Sequence, residues 1–60
     1  MTPAKLLIAQ RLAELQPELQ ATAELADEYK DVPHWAERIA ELRRTAELAK
    51  FWATEIRSEP

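Results

Sequence analysis

The chain has 60 residues, no Cys, no Gly, one His and a formal charge of −3. A chain this short buries only about 60% of its unfolded surface and is marginal alone, and without Cys neither disulfides nor a thiolate metal site can support it. An acidic chain is a poor default ligand for nucleic acid, whose phosphates are bound by Lys and Arg, so oligomerisation or a protein partner is the remaining support.

Ala, Glu, Leu, Lys and Arg supply 36 of the 60 residues. With helical periodicity, that composition signals long helices or a coiled coil. The fold class expected is all-α: an antiparallel helical hairpin of two long helices that dimerises into a four-helix bundle. It forms one domain, 1-60, with helix 1 over about 3-29, a turn over about 30-32 and helix 2 over about 33-57.

Thr2-Pro3 is a helix start, with a hydroxyl to cap and a Pro suited to the first helical position. The apolar stripe that follows is Ile8, Leu12, Leu15, Leu19, Thr22, Ala26 and Tyr29, in alternating steps of four and three. Pro17 interrupts the hydrogen-bond ladder by removing the bond to the Ala13 carbonyl, at about 3 kcal/mol. The stripe passes Pro17 without a change of phase, so a continuous helix kinked there is preferred to a break. Pro17 then falls on the outer face, where the freed carbonyl meets water.

Val32-Pro33 ends the turn. The residue before Pro is pushed out of the α region, and Pro33 opens helix 2. Asp31 is placed to help cap it. The second stripe is Trp35, Ile39, Leu42, Ala46, Ala49, Ala53 and Ile56. Its alanines let two backbones approach closely. A short connection makes the helices antiparallel neighbours, each about 40 Å long. The tail Ser58-Glu59-Pro60 is expected to fray. An internal echo pairs Arg11-Leu-Ala-Glu-Leu15 with Arg38-Ile-Ala-Glu-Leu42, and Thr22-Ala-Glu-Leu-Ala26 with Thr45-Ala-Glu-Leu-Ala49. Duplication and simple helix-forming composition both account for it.

Off these stripes, large apolar residues collect at the open end of the hairpin: Leu6, Leu7, Leu48, Phe51 and Trp52. They are the expected dimer or partner interface, because monomers rarely expose large apolar patches. Tyr29 and Trp35, near the turn, form a second candidate partner surface.

No catalytic, cofactor or metal residues are expected. The lone Ser58 lies in the tail and the lone His34 in the first turn of helix 2, so no nucleophile–base pair is available. His34 reads as a local polar contact. A bundle metal site uses Glu-x-x-His pairs, and none occurs. The carboxylates have local partners, with Arg43–Glu47, Glu47–Lys50 and Arg38–Glu41 at helical spacing. Nothing approaches the roughly 20 apolar residues of a membrane span, and no secretory leader is present. The expected setting is cytoplasmic, with no membrane or small-molecule ligand.

The functional expectation is a non-enzymatic regulator or inhibitor. It homodimerises and masks a surface on a larger protein, as a phage- or plasmid-type accessory protein would. Arg38, Arg43, Arg44, Lys50 and Arg57 also give helix 2 some basic character. In architecture, though not in any motif, the chain resembles the Rop-type plasmid regulators, which implies an alternative as a dimeric RNA-binding regulator. Glu37, Glu41, Glu47 and Glu55 interleave with those cations and weigh against nucleic acid. A purely structural oligomerisation module is the third reading.

Overall fold

A computed structural model describes residues 3–59. Helix α1 spans Pro3–Ala26, a single 3-10 turn covers Asp27–Tyr29, and helix α2 spans Pro33–Ser58. The two helices pack antiparallel along a molecule 45 Å in its longest dimension. The expected Thr2 cap and the end of the tail at Pro60 lie outside the described residues.

Helix α1 runs unbroken through Pro17, which is exposed. The missing N–H therefore costs one bond but not the helix, as the unbroken phase of the stripe implies. At its C-terminus the helix tightens. The Lys30 amide donates to the Asp27 carbonyl at 3.1 Å, and the Val32 amide donates to the Tyr29 carbonyl at 2.9 Å. These bonds use carbonyls that the helix end would otherwise leave unpaired.

Val32 takes extended dihedrals of −87° and 120°, and Pro33 stands at the first helical position. The expected help from Asp31 does not materialise, because the cap of α2 has no side-chain hydrogen bond. The backbone serves instead: the Val32 carbonyl accepts from the amides of Trp35 at 2.9 Å and Ala36 at 3.2 Å.

The open end is tied rather than loose. Helix α2 reaches Ser58, whose hydroxyl donates to the Thr54 carbonyl at 3.0 Å. Glu59 meets Lys5 of α1 in an ion pair of 2.6 Å. Both side chains are nearly half exposed, and such pairs contribute about 0–1 kcal/mol. The contact fixes register more than stability.

The seam between the helices is built from alanine. The buried residues are Ala9, Ala23 and Ala26 of α1 and Ile39, Ala46, Ala49 and Ala53 of α2. Trp35 and Leu42 pack against the cluster of Ala23, Ala26 and Ile39. On α2 the seam follows the sequence stripe, with Trp35, Leu42 and Ile56 half-buried. On α1 it does not. Leu12, Leu19 and Ala26 face the seam, but Ile8, Leu15, Thr22 and Tyr29 are exposed, and Ala9, Gln16 and Ala23 take their turns of the helix. Small residues of α1 meet larger ones of α2, as Ala23 and Ala26 do with Ile39, Trp35 and Leu42, so α1 turns its small residues inward and Ile8 and Leu15 stay exposed.

Replacing Pro17 by Ala restores an N–H and removes the ring clash at an exposed site. Urea unfolding followed by circular dichroism should show higher stability, by up to about 3 kcal/mol.

Candidate interaction face

Two observations show which side of the hairpin each helix flank belongs to. Asp27 pairs with Arg43 at 3.0 Å across the helices. Gln20 and Glu24 of α1 border the same surface hollow as Arg43 and Glu47 of α2. This broad face is therefore polar. At about 100° per residue, Ile8 and Leu15 lie on the opposite flank of α1, and Leu48 and Trp52 on the opposite flank of α2. The four share the other broad face.

They also share its height. Lys5 is level with Glu59, and Ala23 and Ala26 with Ile39. Both helices rise about 1.5 Å per residue, so Ile8, Trp52, Leu15 and Leu48 follow one another along the open half. Their exposures are 50%, 50%, 42% and 41%. Half-buried Leu12, Leu19 and Ile56 lie beneath them. Helical spacing thus sets these four exposed apolar residues of both helices in a strip along one face of the open half.

The sequence-expected interface residues are all exposed, but the geometry does not gather them into one patch. Leu48 and Trp52 belong to the strip. Leu7 and Phe51 point from the backs of their helices, and Leu6 leans to the polar side. Ile8 and Leu15 complete the strip, although the sequence stripe placed them in the seam between the helices. Their signal was present, since the α1 stripe points between α2 and the open face, as a core position in a four-helix bundle would.

Further along the same face stand Thr22 and Thr45. The Thr22 hydroxyl donates to the Glu18 carbonyl at 2.8 Å, and that of Thr45 to the Glu41 carbonyl at 2.7 Å. Both hydroxyl protons are thus already paired within their own helices. Covering these residues leaves no donor unsatisfied, which is the costly case.

At the turn end, Tyr29 and Trp35 meet with ring centroids 5.2 Å apart and planes tilted by 32°. The Arg38 guanidinium lies 5.0 Å from the Trp35 centroid. A cation over an indole contributes about 0.5–1 kcal/mol at an exposed site. Trp35, Arg38, Glu41 and Thr45 line an open, shallow groove, with His34 at its edge. Trp35 serves both the core and this groove, so the second candidate surface is partly structural.

The expected helical charge pairs are rearranged. Arg43 reaches across to Asp27 instead of Glu47, Arg38 lies over Trp35, and Glu41 pairs with Arg44 at 2.6 Å. Among the described residues, no group of three His, Cys, Asp or Glu side chains is placed to hold a metal ion. No described helix is long and apolar enough to cross a membrane. The chain matches no protein-family model, no curated protein and no solved structure.

The Asp27–Arg43 pair should be modest. A double-mutant cycle with Asp27→Ala and Arg43→Ala should give a coupling of about 0.2–1 kcal/mol that shrinks as salt is added.

Proposed function

We propose that this is a non-enzymatic helical protein that pairs with a second copy through the apolar strip and acts by masking a surface of a larger protein partner. One observation carries the reading. Among the described residues the buried set is six alanines and one isoleucine, while Ile8, Leu15, Leu48 and Trp52 stand about half exposed. An alanine methyl contributes roughly the 0.8 kcal/mol of one buried carbon group. Covering the exposed half of each large side chain adds about 1 kcal/mol apiece on each copy. For a 60-residue chain, that is a sizeable fraction of all the stability it can have.

A second copy suits the face because the strip contains its own complement, branched aliphatic residues beside a tryptophan. An isologous contact then buries both strips at once. The non-enzymatic part is supported by placement. His34 stands at the turn end, whereas Ser58 stands at the open end with its hydroxyl engaged by the Thr54 carbonyl. The regulatory part follows from what remains on the outside of such a pair. Leu7, Phe51 and Leu25 are exposed, and helical spacing sets them away from the strip, as anchors an amphipathic helix lays into a groove.

Light scattering should give the wild-type chain twice its 6.9 kDa mass. The double variant Leu48→Glu, Trp52→Ala should run as single chains or lose its helical signal, while Leu7→Ala should leave the mass unchanged. A wild-type chain that stays folded at 6.9 kDa at high concentration would overturn the pairing. Recovery of RNA in a steeply salt-dependent complex, with no protein bound, would overturn the partner class.

A further inference from the structure

The pairing proposed above leaves open how two hairpins lie on one another, and the distribution of apolar and charged groups constrains the choice. A face-to-face pair has two symmetric solutions. With the turns at opposite ends, α1 lies on the other copy's α1 and α2 on its α2. With the turns at the same end, α1 lies on the other copy's α2. We infer that the second copy docks with its turn at the same end, each α1 against the other α2.

The first ground is the asymmetry of the face. Its open half carries Ile8, Trp52, Leu15 and Leu48, whereas its turn half carries Thr22, Thr45, Glu41 and Arg38. With both turns at one end, apolar meets apolar and polar meets polar at every height. With turns at opposite ends and full overlap, the strip from Ile8 to Leu48 slides toward the other copy's polar half, and Trp52 falls level with its Arg38 and Glu41. Burying an apolar group against a charge forfeits water around that charge without a replacement bond.

The second ground is charge. From Pro3 to Tyr29 the cations Lys5 and Arg11 stand against Glu14, Glu18, Glu24, Asp27 and Glu28. Helix α2 carries Arg38, Arg43, Arg44, Lys50 and Arg57 against Glu37, Glu41, Glu47 and Glu55. Within Pro3–Ala26 two cations stand against three acids, and within Pro33–Ser58 five stand against four, so α1 is slightly negative and α2 slightly positive. Laying α1 on α1 sets two negative helices side by side, while laying α1 on α2 sets opposite signs together. Along the rim, Arg11 then comes level with Glu55 of the other copy, and Glu18 with its Arg44. Such rim charges select orientation more than they add affinity.

The inference rests on the proposed pairing, and one experiment separates the two. The chain has no Cys, so Asp31→Cys in the exposed turn carries a single nitroxide label, and pulsed electron spin resonance reads the distance between copies. Same-end docking gives roughly 15–25 Å, because neighbouring helix axes in such bundles lie about 8–10 Å apart. A separation near the 45 Å length of the hairpin, with dimer mass retained, would overturn the orientation and leave the pairing intact. Single-chain mass with no dipolar coupling would overturn both.

Discussion

Everything in this hairpin depends on how closely its two backbones approach along a seam of alanine. The buried residues are Ala9, Ala23 and Ala26 on α1 and Ile39, Ala46, Ala49 and Ala53 on α2, with Ala23 and Ala26 clustered against Ile39. Close approach gives good contact between helices, but each methyl removes little apolar area from water. Ile39 is the one large side chain fully buried in the seam among the described residues, while Ile8, Leu15, Leu48 and Trp52 are about half covered. The hairpin therefore defines a shape well and stabilises it weakly.

The side on which those residues stand is not random. One broad face has Asp27, Arg43, Gln20, Glu24 and Glu47 and is suited to water. The other has Ile8, Leu15, Leu48 and Trp52, with two threonines whose hydroxyls are already bonded within their helices. Covering its open half gains apolar burial and leaves neither threonine donor unpaired, while its turn half carries Arg38 and Glu41.

Much of the fold was legible in the sequence. The four-three stripe from Trp35 to Ile56 is the seam of α2, and Val32-Pro33 marks its start. The unbroken phase across Pro17 correctly favoured one continuous helix over two. The rest was hidden for a definite physical reason. A stripe gives the mean direction of apolar side chains, and on α1 that direction lies between two neighbours. A hairpin taken alone uses the small residues beside it, so Ile8 and Leu15 emerge on the face and Ala9 and Ala23 go inside. Periodicity also does not separate the front of a helix from its back when apolar residues occur on both. Periodicity therefore groups Leu7 and Phe51 with Leu48 and Trp52, although helical spacing turns them toward the backs of their helices. The rearranged ion pairs have a similar cause. Neighbours in sequence competed with partners across the hairpin, and Arg43 reaches Asp27 only once the register is known.

The central claim is that the folded state of this chain is completed by a second copy. Thermal unfolding measured across a hundredfold range of protein concentration tests it most directly, because assembly that involves only the folded form stabilises by mass action. The account expects the midpoint to rise steadily with concentration, with loss of helical signal and red-shift of tryptophan emission moving together. A midpoint that does not move with concentration, with both signals still cooperative, would mean that the alanine seam suffices alone and would contradict it.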